Sequence, residues 1–150
     1  MSKIDESDDV PTTKSRCIKW YPVTGVNSCC ADIGLVYEPP GRLTVRMRFS
    51  HVRGNPPKDI LLEFECIAAF RYEDECFSGS CLPDRLPRSE DNLFVFPFLI
   101  MEDSPWAKRM AARHPQGEGC IHYAFLSLND TVEVLASPPV RVEWIPATGE

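Results

Sequence analysis

Several things are scarce in this chain, and each scarcity excludes something. It has only three histidines in 150 residues, which limits acid–base and metal chemistry. No paired-histidine metalloprotease motif, glycine-rich phosphate loop or Gly-x-Ser-x-Gly turn occurs. Lys and Arg number 16 against 22 Asp and Glu, a formal net charge of −6. Nucleic-acid binding through a basic surface is thereby excluded, because neutralising phosphates needs clustered cations. The most apolar run, Leu93 to Met101, is far too short to cross a bilayer. The first fifteen residues, MSKIDESDDVPTTKS, are polar and acidic and lack the apolar stretch of a signal peptide. The expectation is a cytoplasmic protein with no membrane contact.

Cysteine is the exception to this scarcity. There are seven: Cys17, Cys29, Cys30, Cys66, Cys76, Cys81 and Cys120. The odd count, with no export signal, argues against a disulfide framework and for free thiols. Cys76 and Cys81, in CFSGSC, come nearest to a zinc-binding pair, but no second pair matches their spacing. Cys29 and Cys30 are adjacent, so on a strand they point to opposite faces. Cys17, Cys66 and Cys120 fall in strand-like patterns and read as small buried hydrophobes. No metal or other cofactor is expected.

What is present is period-2 alternation. From Gly119 to Trp144 the chain reads as a hairpin and a further strand. A turn at Asn129-Asp130, residues that tolerate positive φ, sets Ser127 opposite Val132, Phe125 opposite Val134 and Tyr123 opposite Ala136. That face is aromatic and β-branched, so it faces the core. The other face pairs Leu128 with Thr131, Leu126 with Glu133 and Ala124 with Leu135; it is half exposed or covered by a helix. Pro138-Pro139 ends the pairing, and Val140, Val142 and Trp144 alternate with Arg141 and Glu143.

Upstream, Cys17 to Tyr21 and Ala31 to Glu38 read as short strands, the second stopped by Pro39-Pro40-Gly41. In Leu43 to Phe49 the apolar residues Leu43, Val45, Met47 and Phe49 share one face, with Arg46 and Arg48 on the other. Ile60 to Tyr72 alternates as cleanly and is expected to be one long strand bending near Ala68-Ala69. As a hairpin, these two place the Arg46/Arg48 row beside Glu63/Glu65. Phe77 to Asn92 is rich in turn formers and reads as a long surface loop. Leu93 to Met101, apolar on both faces, reads as a central strand in which Pro97 needs a bulge or an edge. One helix is expected, capped by Ser104, with Pro105 in its first turn and His114 at its end. The core should include Val45, Met47, Phe49, Leu62, Phe64, Phe70, Tyr123, Phe125, Val134 and Trp144. The reading is therefore α+β and mainly β: an antiparallel sheet or sandwich of about six or more strands with one short helix. Residues 1–15 form a disordered tail and 16–150 a single domain.

Catalytic constellations are thin. His51 ends a strand next to a loop, and His114 suits a helix C-terminus. Cys120 and His122 share a strand face at i, i+2, which makes a nucleophile–base contact geometrically conceivable. Acidic residues are more suggestive. Glu73, Asp74 and Glu75 end the long strand, and Asp84, Glu90 and Asp91 lie in the loop beyond. Together they make an acidic edge for a basic partner.

In the C-terminal third, Ser104-Pro105-Trp106, His122-Tyr123, Asn129-Asp130 and Val132 to Ala136 form a pattern that resembles small bacterial immunity-type proteins. The resemblance covers roughly 104–136 and implies a cytosolic protein that neutralises a cognate toxin by binding it. The functional expectation is a non-catalytic module that binds another protein, a basic toxin or effector. The alternatives are a β-sandwich ligand-binding or assembly module and a small Cys/His enzyme.

Overall fold

The computed structural model describes residues 16–26, 29–50, 52, 55–74, 86–89, 95–113 and 119–147. The expected tail at 1–15 lies outside these residues, as do His51, Glu75, Cys76, Cys81, Asp84, Glu90, Asp91 and His114.

Nine strands and one helix follow one another among the described residues. They are β1 (Arg16–Lys19), β2 (Asp32–Glu38), β3 (Arg42–Arg48), β4 (Lys58–Phe64), β5 (Ile67–Asp74), β6 (Phe98–Glu102), α1 (Pro105–Arg113), β7 (Ile121–Leu126), β8 (Asp130–Ala136) and β9 (Arg141–Pro146). They form two antiparallel sheets, one ordered β9-β4-β3-β2 and the other β1-β6-β7-β8-β5. The expected class, mainly β with one short helix, is what the chain adopts.

The inward faces follow the alternation in the sequence. Leu43, Val45, Met47, Phe49, Ile60, Leu62 and Phe64 from the first sheet are buried against Phe98, Tyr123, Phe125, Val132 and Val134 from the second. Phe64 stands 5.4 Å from the Tyr123 ring centroid, and Phe49 stacks on Phe98 at 6.2 Å. Phe70 and Trp144, also expected in the core, are half-buried and pack against it. Cys66, expected to be buried, is exposed, because it sits in the turn between β4 and β5.

Three expectations about strands are corrected. First, Ile60 to Tyr72 is not one strand. It breaks at Glu65-Cys66, so β4 joins one sheet and β5 the other. Gly41, at φ 144°, turns the chain beside this break, and its carbonyl accepts the Ile67 N–H at 3.2 Å. Second, the β7–β8 hairpin pairs Tyr123 with Val134 and Phe125 with Val132. The turn therefore centres on Leu128-Asn129, and neither residue takes positive φ. Ser127 Oγ accepts the N–H groups of Asn129 and Asp130 at 3.1 and 2.9 Å. Leu128 N–H and Asn129 Nδ2 donate to the Cys30 and Ala31 carbonyls, both at 2.9 Å. Contacts to a distant segment thus hold the turn in place. A displacement of two residues in the pairing keeps every side chain on its expected face; a displacement of one would have inverted them. Third, Pro97 needs no bulge, since β6 begins just after it. Central placement of β6 between β1 and β7 agrees with its doubly apolar sequence.

On the outer face of the first sheet, Arg46 pairs not with Glu63 but with Asp59, at 3.1 Å. Glu63 is met instead by Arg42 and Arg141. Asp59 is buried, and its second oxygen accepts from Ser50 N and Ser50 Oγ at 3.1 and 2.7 Å. Burial pushes its carboxyl up, but the Ser50 hydrogen bonds and Arg46 outweigh this and hold it below the ordinary range. Asp59→Ala strands these donors and should lower the unfolding free energy by about 3 kcal/mol, measured by urea denaturation.

Candidate functional site

Two regions concentrate chemistry. One is the rim of the sandwich where β2, the edge of one sheet, lies beside β5, the edge of the other. The Tyr37 and Phe70 rings meet there at 5.6 Å. Inward parity places Tyr37 and Tyr72 toward the interlayer space, but at this edge no further strand among the described residues covers them. Tyr37 remains 45% exposed and Tyr72 50%, and the outward Val36 is 58% exposed. The Tyr72 hydroxyl donates to Asp130 Oδ2 at 3.1 Å. This bond, with the carboxylates of Asp130, Asp74 and Asp32 around it, makes the phenol harder to ionise.

Two of the six acidic residues expected to bind a partner fall in this region. Glu73 and Asp74 end β5, on the rim; Asp74 is exposed and Glu73 half-buried. Glu73 Oε1 is buried without a hydrogen-bond partner. Glu75, Asp84, Glu90 and Asp91 are outside the described residues. Asp32 and Glu38, on β2, were not singled out in the sequence, and the fold brings them to the same rim. Asp32 pairs with Arg48 at 2.8 Å. Gly34 leaves room for this, since a Cβ there would stand 3.2 Å from Arg48 Nη1.

The second region lies on the outer face of the five-stranded sheet, under α1. His122 is 5% exposed and Glu133 3%. His122 Nδ1 is 2.6 Å from Ser104 Oγ, and Nε2 is 2.7 Å from Glu133 Oε1. With its hydrogen on Nε2, the ring donates to the carboxylate and accepts from the serine hydroxyl. Ser104 Oγ in turn accepts the Ala107 N–H at 3.0 Å, which makes Ser104 the helix cap. Arg71 donates to Glu133 at 3.1 Å and lies 4.1 Å over the Trp106 ring, whose plane meets His122 edge-on. Burial raises the Glu133 carboxyl, but His122 and Arg71 outweigh this and hold it below its ordinary value. Burial, with Glu133 second, pushes the nearby Cys17 thiol up to about 11.

None of the residues of α1 is fully buried; the half-buried stripe of Trp106, Ala107, Met110 and Ala111 and this network together tie the helix to the sheet. Beside it is a cavity of about 410 Å³ whose wall includes Ser104, Lys108, Cys120 and His122. Both His122 nitrogens are committed to Ser104 and Glu133, and burial raises the Cys120 thiol. The i, i+2 placement of Cys120 and His122 therefore does not form an activated thiol. Sequence reasoning found the Ser104 cap but not its link to His122, Glu133 and Arg71. The available signal was Glu133 itself, a lone charge between apolar neighbours in Val-Glu-Val.

A comparison of the chain with known protein families, curated proteins and solved structures finds no match.

The buried network generates a prediction with a pH sign. Glu133→Ala leaves the His122 N–H without an acceptor and should lower stability by about 2–3 kcal/mol. Glu133→Gln keeps an acceptor and should lose less. Because the folded carboxyl titrates low, its stabilisation is present above the unfolded value of about 4.3 and is lost as pH falls through the folded value. Glu133→Gln should remove that part of the acid loss, read from urea midpoints at pH 7 and across the acid range.

Proposed function

We propose that this chain is a protein-binding domain of the immunity type, which neutralises a basic toxin or effector by occupying its surface. The reading rests on one observation: the β2–β5 rim combines exposed Val36, Tyr37 and Tyr72 with the carboxylates of Glu38, Glu73 and Asp74. Among charged residues of these two strands, Arg71 is the sole cation, and it is turned toward Glu133. Aromatic anchors beside carboxylates suit a basic surface, the aromatics supplying contact area and the charge supplying steering. The formal net charge of −6 acts in the same sense at long range.

The test is charge reversal. The chain is co-expressed with products of neighbouring reading frames, and a retained protein supports the proposal only if it is basic and is released by salt. Glu73→Lys with Asp74→Lys should then slow association about tenfold at low ionic strength and flatten its salt dependence. The melting temperature should barely move, since Asp74 is exposed and Glu73 Oε1 makes no hydrogen bond. Tyr72→Ala should act mainly on dissociation. Retention of a partner that ignores all three substitutions rejects this surface.

A second reading is favoured by the Ser104–His122–Glu133 connectivity on the wall of the 410 Å³ cavity. In it Ser104 is the nucleophile of an acyl transfer, His122 its base and Glu133 the orienting acid. The Ala107 N–H on Ser104 Oγ and the burial of Ser104 support the structural role instead. A fluorophosphonate probe separates the two: labelling of the native chain that is abolished by Ser104→Ala supports the enzyme, and no labelling rejects it.

A further inference from the structure

The rim supports a more specific statement about its occupant, one that rests on the protein-binding reading. Among the described strands, β2 ends its sheet and has β3 as its single neighbour. Among the described residues, the backbone hydrogen bonds of Ile33 to Tyr37 lead only to β3. The strand is seven residues long and contains neither proline nor lysine, two of the devices that keep an edge from pairing. Its outward-pointing backbone groups are a template for one more strand.

Parity then dictates what such a strand must carry. Residues directly opposite each other in an antiparallel pair share a face. Ile33, Leu35 and Tyr37 face the other sheet, as their partners Met47, Val45 and Leu43 do. A residue added opposite Leu35 or Tyr37 therefore projects into the gap beside Phe70 and Tyr72 on β5. Its stem would meet the Tyr37 and Phe70 rings, 5.6 Å apart. Its head would meet the Tyr72 hydroxyl and the carboxylates grouped around it, Asp130 and Asp74. An apolar stem with a cationic head satisfies both, and aromatic faces add cation–π attraction. On the outer side, Val36 is apolar and exposed, and Glu38 is an exposed carboxylate. They call for an apolar residue and a second cation in the alternate positions.

We propose that the partner adds an antiparallel strand to β2 and seats an arginine or lysine of that strand between Tyr37 and Tyr72 at the rim of the sandwich. The main chain supplies affinity and the inward cation supplies selection. A second copy of this chain is a poor occupant. The obvious self-pairing, centred on Leu35, sets Asp32 against Glu38 of the other copy, and β2 offers no cation of its own.

The experiment uses the full chain and three extended peptides of about nine residues. The first alternates valine and threonine, with one arginine on its inward side. The second replaces that arginine by norleucine, and the third is N-methylated at alternate residues to remove its donors. Amide hydrogen exchange and nitrogen-15 spectra locate binding, and calorimetry measures it. The arginine peptide should bind with shifts confined to β2 and β5 and should protect β2 amides. The norleucine peptide should bind about tenfold more weakly, and the N-methylated peptide should not bind. Tyr72→Leu in the protein should erase the preference for arginine while leaving residual strand binding.

Equal binding of the N-methylated peptide, or shifts away from β2, overturns strand addition. So do β2 amides already protected in the free chain, whether by another segment or in a dimer seen by sedimentation. If the peptides fail while Glu73→Lys with Asp74→Lys still releases a basic protein, strand addition is wrong and the binding surface stands. If neither responds, both are rejected.

Discussion

Phe64 on β4 meets Tyr123 and Phe125 on β7 at centroid distances of 5.4 and 6.2 Å, and Phe98 meets Phe49 and Phe125 at 6.2 and 5.9 Å. This aromatic layer between the sheets is the contact on which the rest of the structure depends. Such pairs contribute about 0.5–1.5 kcal/mol each beyond the area they bury, and they prefer tilted or offset geometries that set the spacing of the layers. Trp20 joins the layer from the segment after β1 and Trp144 from β9. Strands next to each other in sequence are thereby tied to strands far away.

One consequence is the rim. The break at Glu65-Cys66 sends β5 to the opposite sheet, where it becomes the edge next to β8. β2 is the edge of the first sheet on the same side, as the Tyr37–Phe70 contact shows. Side chains that would have been core in a wider sandwich are left half-exposed. A layered β fold must end somewhere, and the end of this one carries tyrosine and carboxylate together. That coincidence of apolar area and single-sign charge, rather than either alone, makes the rim a binding candidate.

The buried chain from Ser104 through His122 and Glu133 to Arg71 is a different kind of feature. It occupies the outer face of a sheet whose neighbouring residues, Leu99, Ala124 and Leu135, are fully buried. Every polar atom named in it has a partner, and this keeps a buried ionic group from being a liability. The helix is anchored by geometry and charge at its first turn, where the cap, the Trp106 ring and the Arg71 guanidinium converge.

The sequence by itself determined which residues face inward. Leu43, Val45, Met47, Phe49, Leu62, Phe64, Tyr123, Phe125 and Val134 are buried as their alternation requires, because a strand turns its side chains with period two whatever it pairs with. It also marked the Ser104-Pro105 helix start, because capping is chemistry within one turn. Of the rim, it marked Glu73 and Asp74 as an acidic strand end, but not Val36, Tyr37, Glu38 or Tyr72 beside them. Only the tertiary structure decided that Ile60 to Tyr72 is two strands in two sheets, that Arg46 pairs with Asp59 rather than Glu63, and that the hairpin turns at Leu128-Asn129. Each of these depends on a group distant in the chain: the Gly41 carbonyl beside Ile67, the Ser50 donors on Asp59, the Cys30 and Ala31 carbonyls at the hairpin tip. Side-chain direction is a local property of the backbone, whereas strand partners and edges are set by long-range packing that alternation leaves degenerate.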